Sequence, residues 1–243
     1  MGEHSAIGWT QSTWNPWYGC TKVSPGCAHC YMFREQTRYG NNPDVVRRSK
    51  TKFGEPTKWK DGRLVFTCSW SDWFHEAADA WRDEAWDVIR ATPRHTYQIL
   101  TKRPERIAAH LPSDWGDGWP NVWLGTSIEN QRWTTRLEEL IAISARVRFV
   151  SAEPLLGPVD FGTISTPDEL HNELHWVIVG GESGAQHRPM REEWARSLRD
   201  QCARAAIPFF LKQLGGHPDA RAHEKAVLDG RTWTEMPTTQ AVV

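Results

Sequence analysis

"HWVIVGGES", residues 175–183, is an apolar run that ends in two glycines and a carboxylate. Four to six consecutive β-branched or aromatic residues indicate a strand that is buried on both faces. Similar runs that end in small or polar residues are "RLVFTCS" (63–69), "TYQILTK" (96–102), "NVWLGTS" (121–127), "VRFVSAE" (147–153) and "IPFFLKQ" (207–213). With a first strand expected before Cys20, the sequence predicts six to seven buried strands.

Segments with helical periodicity lie between these strands, at residues 75–92, 134–146 and 190–206. Alternating strands and helices are typical of a parallel sheet with helical crossovers, which is an α/β fold. Because no long linker divides the chain, we expect a single domain over residues 1–243. Its parts are a lead-in at 1–14, the βα region at 15–214 and a C-terminal excursion and tail at 215–243.

Polar residues follow nearly every predicted strand. In a (β/α) barrel all the loops after the strands meet at one C-terminal mouth, whereas an open sheet gathers only those near its switch point. The pattern therefore favours a full or partial barrel of the TIM type over an open doubly wound sheet. The residues expected at this mouth are Ser69, Asp72, Thr101, Lys102, Arg103, Ser127, Glu129, Glu153, Glu182, Ser183, Lys212 and Gln213.

Composition and charge limit the classes of partner. The formal charge of the 243-residue chain is −1, so no overall basic field indicates nucleic-acid binding, although a local basic groove stays open. The N-terminus lacks a secretory signal, and no run approaches the roughly 20 apolar residues of a membrane helix. We therefore expect a cytoplasmic protein without a membrane partner. The 15 tryptophans are expected to serve mainly in packing, with a minority stacking on a flat ligand or base.

Three of the five cysteines lie close together in "YGCTKVSPGCAHCY" (18–31): Cys20, Cys27 and Cys30. Glycine and proline indicate a turn there, and a thiol cluster in a reducing compartment indicates a metal or redox site rather than disulfides. A structural zinc would need a fourth ligand such as His29 or Cys68. Three thiolates also suit an iron–sulfur cluster with one iron left open for a substrate or cofactor. The residues alone leave both metals open.

The stretch "WNPWYGCTKVSPGCAHCY" (14–31) resembles the cluster loop of radical S-adenosylmethionine (radical SAM) enzymes, closest in style to the spore-photoproduct-lyase-like branch. It departs from the usual pattern because six residues instead of three separate its first two cysteines. From about residue 7 to 237 the chain is also similar to a family of phage and bacterial proteins of unassigned function. That similarity rests on stretches such as "LTKRPER", "SAEPLLGPVD", "VGGESG", "PFFLKQLGG" and "LDGRTW".

The resemblance implies a [4Fe–4S] cluster held by Cys20, Cys27 and Cys30, with S-adenosylmethionine (SAM) bound at the open iron. An external one-electron donor would reduce the cluster, and SAM would be cleaved to a 5′-deoxyadenosyl radical. The branch and the phage context imply a nucleic acid or nucleotide-like substrate that is modified or repaired. Residues implied to bind the cofactor are Tyr31 near the adenine, Ser69, Ser71 and Asp72 at the methionine amino group, and Ser127 and Glu129 at the ribose.

Further candidates come from the residue types themselves. Gly180 and Gly181 suit a close backbone approach to a ligand or a plain turn, and Glu182 suits a cationic partner. Lys102, Arg103 and Gln213 are candidate substrate-binding residues, although the two cations also suit a solvated helix start. Cys68, Lys212 and Glu153 are catalytic candidates, with a plain buried thiol as the alternative for Cys68. Cys202, on a predicted helix, is expected in the core.

Two other functions stay open. One is a nucleic-acid-binding protein that zinc or a cluster stabilises and that has no catalytic activity. The other is a phosphate-binding barrel enzyme that uses Lys102, Lys212 and the Gly180–Gly181 turn.

Overall fold

The computed structural model describes residues 3–184, 186–216 and 226–238. The strands are β1 (Ser12–Trp14), β2 (Trp17–Tyr18), β3 (Arg47–Arg48), β4 (Leu64–Thr67), β5 (Thr96–Thr101), β6 (Val122–Ser127), β7 (Val147–Ala152), β8 (Trp176–Gly180), β9 (Phe209–Gln213), β10 (Val227–Leu228) and β11 (Arg231–Thr232). The α-helices are α1 (Tyr31–Arg38), α2 (Asp79–Arg90), α3 (Thr135–Ile141), α4 (Pro167–Glu173) and α5 (Glu192–Arg204).

Seven strands form one parallel sheet in the order β1-β4-β5-β6-β7-β8-β9. The predicted α/β fold is confirmed, and so is each predicted strand, because every apolar run quoted above contains one strand of this sheet. β6 and β8 are buried along their whole length, which agrees with strands covered on both faces. Two short antiparallel pairs, β2 with β3 and β10 with β11, lie outside this sheet.

Contacts within the chain separate it into two compact units. The first contains Met1–Leu124 and Ile143–Arg146, and the second contains Gly125–Ala142 and Val147–Val243. The single domain expected from the sequence stays a prediction.

Tryptophan packing builds the core of the first unit. The Trp73 ring lies 5.7 Å from Trp14, 5.1 Å from Trp17 and 5.1 Å from Trp86, measured between centroids. All four indoles are buried, and aromatic pairs at such distances add to the free energy gained by burying their area. For this cluster the packing role expected of the tryptophans is confirmed.

Aliphatic and aromatic residues of β7, β8, β9 and α5 form the core of the second unit. Phe149 of β7 lies opposite Trp176 of β8, and Val177 lies opposite Phe209 of β9. Cys202 on α5 is buried in this core, as predicted. Part of the predicted excursion forms the β10–β11 hairpin, whereas its residues 217–225 and the tail residues 239–243 lie outside the described residues. No α-helix in the described part of the chain is both long and apolar enough to span a membrane.

Candidate functional site

Gly19 fixes the start of the cysteine loop. Its φ angle is +93°, and a Cβ atom there would lie 2.3 Å from the carbonyl oxygen of Val45, so only glycine fits. The next amide, of Cys20, donates to the carbonyl of Pro43 at 2.9 Å. The first cysteine is therefore anchored to the segment that leads into β3.

The second and third cysteines belong to a separate compact turn. Pro25–Cys27 is a 3₁₀ helix in which the amide of Cys27 donates to the carbonyl of Ser24 at 3.0 Å. The amide of Cys30 donates back to the carbonyl of Cys27 at 3.4 Å, and α1 begins directly afterwards. Lys22 and Val23, between this turn and the first cysteine, are exposed. The six-residue gap therefore contains an exposed bridge between two separately held parts.

All five cysteines carry free thiols. Burial raises the pKa of Cys20 to about 12, with Asp72 adding to the shift and Arg103 opposing it. Burial also raises the pKa of Cys30, and Lys102 opposes that shift. The metal-free loop therefore holds these two thiols protonated at neutral pH, so binding of a metal would release protons.

The donor set of the loop consists of sulfur. Cys27 lies within electrostatic reach of both Cys20 and Cys30. In the described part of the chain, no three His, Cys, Asp or Glu side chains are grouped closely enough to hold a metal ion, so the loop is not a preassembled site. Three thiols without a carboxylate among them nevertheless fit an iron–sulfur group by their chemistry.

A fourth thiol lies beside this loop. Cys68 directly follows β4, is buried and has a φ angle of +53°, which is unusual for a residue with a side chain. Burial raises its pKa well above the ordinary value, and both Asp72 and Cys20 add to the shift. Cys68 therefore lies within electrostatic reach of Cys20, although within the described residues the two belong to no group of side chains close enough together to hold a metal ion.

Arg103 connects the end of β5 to the first cysteine. Its guanidinium donates to the carbonyl and the hydroxyl of Thr21, at 3.1 and 2.8 Å, and to Sγ of Cys20 at 3.7 Å. The side chain is only 5% exposed, and Nη1 lies 3.2 Å from Oδ2 of Asp72. The sequence predicted a substrate contact for Arg103, and the structure places it against the cysteine loop.

Asp72 organises the loops that follow β4 and β5. Its Oδ1 accepts from the hydroxyl of Thr101 at 2.7 Å and from the amide of Phe74 at 2.9 Å. Its Oδ2 accepts from the amide of Lys102 at 2.9 Å and pairs with Arg103. This carboxylate, predicted to meet the methionine amino group of SAM, thus has four partners within the protein.

The other predicted SAM contacts of the first unit also hold the loop. The hydroxyl of Ser71 donates to the carbonyl of Gly19, and that of Tyr31 donates to the carbonyl of Ser69. The Ser69 hydroxyl bonds to the Asn15 side chain, whose Oδ1 also accepts from the amide of Trp70 at 2.8 Å. The candidates of the first unit therefore surround one cysteine loop.

The acidic candidates of the second unit form ion pairs. Glu129 pairs with Arg136, Glu153 with Lys212, and Glu182 with Arg188. Glu129 and Arg136 are both buried, and Arg136 donates further to the carbonyl of Ser127 at 2.8 Å.

The glycine turn after β8 is closely packed. A Cβ atom on Gly181 would lie 2.3 Å from the carbonyl oxygen of Leu214, and one on Gly180 would lie 3.0 Å from the Glu153 carboxyl carbon. The side-chain Nε2 of Gln213 donates to the Gly181 carbonyl at 2.8 Å. Both glycines therefore allow a close approach of neighbouring protein groups.

Four residues that bind the cysteine loop or the candidate site residues were not predicted from the sequence. They are Asn15, which bonds to Ser69, His75, which bonds to Thr21, Arg136, which pairs with Glu129, and Arg188, which pairs with Glu182. Asn15 lies in the quoted "WNPW", so a buried polar residue beside that loop was a usable signal. His75, whose Nε2 lies 3.0 Å from the Thr21 hydroxyl, gave no such signal.

Comparison with known proteins gives one family. A family model described as "Protein of unknown function (DUF5131)" matches residues 4–237. No curated protein and no solved structure matches the chain.

Proposed function

Since the chain belongs to the DUF5131 family, whose description assigns no activity, we propose from its own residues that it is an iron–sulfur enzyme of the radical SAM type. Cys20, Cys27 and Cys30 would hold a [4Fe–4S] cluster that binds SAM. The proposal includes the finer fold prediction, a full or partial TIM-like barrel with the cysteine loop at its C-terminal mouth. It also includes a reducing cytoplasm, because the thiols must stay reduced, and an external one-electron donor.

The observation that carries the proposal is the set of three free thiols on one loop, beside two cations. Cys27 lies within electrostatic reach of both other thiols, and Nη1 of Arg103 donates to Sγ of Cys20 at 3.7 Å. Thiolates are the ligands of iron–sulfur clusters, and a donor directed at the sulfur favours the charged form against the burial that raises the pKa of Cys20. When bound, the cluster supplies the electron that cleaves SAM to methionine and a 5′-deoxyadenosyl radical.

The protein's own groups would position the ligands and exclude water. Gly19 and the Ser24–Cys30 turn set where the thiols lie, and Cys27 is buried. Tyr31, the residue expected near the adenine, has an exposed ring whose hydroxyl is tied to the carbonyl of Ser69. An aromatic face held at one end suits stacking on a purine.

A nucleic acid substrate is supported by a basic segment that contains the cysteine loop. Residues 18–60 contain nine of the chain's 29 Lys and Arg but only three of its 30 Asp and Glu. Tyr39, which is 64% exposed, stacks on Trp70 with a centroid distance of 6.1 Å. Exposed aromatic rings among cations are how proteins bind single strands, through stacking and phosphate contacts.

Binding of a fluorescent 20-nucleotide DNA or RNA strand tests this part. We expect Tyr39→Ala and the double variant Arg34→Gln/Arg38→Gln to weaken binding several-fold, with the double variant also reducing the salt dependence. Arg231→Gln, an exposed arginine of the second unit, is the matched control. Equal affinity of all variants would remove the support for a nucleic acid substrate.

The metal test uses protein purified without oxygen. We expect about four irons and four sulfides per chain, a brown absorbance, and SAM cleavage with dithionite, all abolished in Cys20→Ala/Cys27→Ala/Cys30→Ala. Cys202→Ala is the control, because that thiol lies in the core of the second unit. One tightly bound zinc without SAM cleavage would overturn the enzyme proposal.

One observation favours a second candidate, a zinc-stabilised nucleic-acid-binding protein without catalysis. Cys68 is a buried thiol within electrostatic reach of Cys20, and a movement of the cysteine loop towards it would form the four-sulfur site that structural zinc takes. A Cys68→Ala variant separates the two candidates. It should lose zinc in the second case, and should keep its iron and sulfide in the first.

A further inference from the structure

We propose that Arg103 is a positioning residue for Cys20, acting through a directed N–H bond to the sulfur rather than through net charge. The inference rests on the proposed function because it assigns how the first cluster ligand is held. It gives Arg103 a different role from the substrate contact that the sequence predicted.

The N–H groups of the Arg103 guanidinium face other residues of the protein. Nη2 donates to the carbonyl and the hydroxyl of Thr21, and Nη1 lies near Sγ of Cys20 and Oδ2 of Asp72. Nε lies 3.7 Å from Oε2 of Glu76. Each nitrogen of the buried guanidinium therefore has a partner, as bridging between the end of β5 and the loop requires.

Thr21 is held from a second side. Nδ1 of His75 accepts from the amide of Ala77 at 3.1 Å, so in the neutral ring Nε2 carries the proton. That nitrogen lies 3.0 Å from the Thr21 hydroxyl and donates to it. The residue next to the first cysteine is thus clamped between an imidazole and a guanidinium.

Asp72 limits the electrostatic effect of the Arg103 charge on the Cys20 sulfur. Its carboxylate lies 3.2 Å from the guanidinium in a buried setting, so the two charges largely offset each other. The remaining interaction with Cys20 is the local N–H···S bond. Hydrogen bonds to cluster sulfurs raise the reduction potential because they stabilise the more negative, reduced form.

The test compares Arg103→Lys and Arg103→Gln with the control Arg106→Lys, a neighbouring arginine that bonds to Phe74 and Asp79. Arg103→Lys keeps the charge but loses the planar fork. In metal-free protein we expect hydrogen exchange of the Cys20 amide, which donates to the carbonyl of Pro43, to rise about tenfold or more, since hydrogen bonds to charged groups contribute roughly 1.5–3 kcal/mol. In anaerobically reconstituted protein we expect both Arg103 variants to have a lower cluster potential than the wild type.

The outcomes separate this inference from the proposed function. Unchanged exchange of the Cys20 amide or an unchanged potential in Arg103→Lys would overturn the positioning role, even in a functional iron–sulfur enzyme. If the wild type takes up zinc instead, the radical SAM proposal fails and the potential has no meaning. The exchange measurement then still decides whether Arg103 holds the loop. Should Arg103→Gln fail to fold, Arg103→Lys provides the same two readouts.

Discussion

Oε2 of Glu129 lies 3.1 Å from Nη1 of Arg136, and both side chains are buried. Glu129 lies two residues after the end of β6, and Arg136 lies on α3, so the pair connects that loop to the helix. Arg136 also donates to the carbonyl of Ser127, the last residue of β6. A position predicted to contact a ribose therefore has a strong partner within its own unit. Measuring the stability of a Glu129 variant shows whether this residue stabilises the fold, a role different from the predicted contact with a ribose.

We expect Glu129→Gln to lower the free energy of unfolding by about 3 kcal/mol, because it leaves the Arg136 charge buried without a counter-charge. Urea denaturation followed by circular dichroism measures this loss. Glu138→Gln, on the exposed side of α3, should change stability by less than about 0.5 kcal/mol. Equal effects of the two substitutions would show that the buried pair does not stabilise the fold.

Gly19→Ala should destabilise the protein by more than about 2 kcal/mol, through backbone strain and the contact of the new Cβ with Val45. Gly40→Ala is the matched control. Its φ is also positive, at +71°, but no atom lies within 4 Å of the new Cβ, so we expect a loss of about 1–2 kcal/mol. Urea denaturation gives both values, and an equal loss in the two variants would contradict the steric argument.

Trp73→Ala should lower the free energy of unfolding by about 3–5 kcal/mol, because it removes the ring at the centre of the tryptophan cluster. Trp119→Ala removes a ring of the same size from the half-buried end, where it contacts Trp86 and Trp115, and should cost less. Circular dichroism is the suitable probe since both variants change the fluorescence. A larger loss for Trp119→Ala would be the contrary result.

His175 should make stability fall in mild acid. Burial and then the charge of Arg148 lower its pKa below the ordinary 6.5. The unfolded chain therefore binds a proton at a higher pH than the folded one, so stability falls as the pH drops below about 6.5. In His175→Asn a side-chain oxygen can accept from the Arg148 amide without titrating. Denaturation midpoints between pH 7.5 and 5 should then fall less steeply, and an unchanged slope would exclude His175 as a contributor.

The strands could be predicted from the sequence because buried parallel strands are short, continuous apolar runs. The helices were harder. α4 has only seven residues, although the capping box of Thr166 and Glu169 at its start was a readable signal. α1 follows Cys30 directly, so the cysteine turn concealed its beginning. Short helices next to loops give too few turns for periodicity to identify them.

The pairing of charges could not be predicted, for a physical reason. Glu153 and Lys212 lie 59 residues apart, and Asp72 and Arg103 lie 31 apart. Their meeting depends on strand register and on the paths of loops, which local patterns do not specify. The sequence showed that polar residues follow the strands, but it carried no information about which of them bind one another.

The exposed Lys22–Val23 bridge has a consequence for recognising distant relatives. Lengthening a flexible loop is inexpensive, since each doubling costs only about 0.6 kcal/mol, so the number of residues between the two anchored parts is free to drift. A search pattern that demands a fixed spacing of cysteines would miss such chains. One that requires the Gly19–Cys20 pair and the Gly26–Cys27 pair, with Cys30 three residues later and any length between the pairs, would retain them.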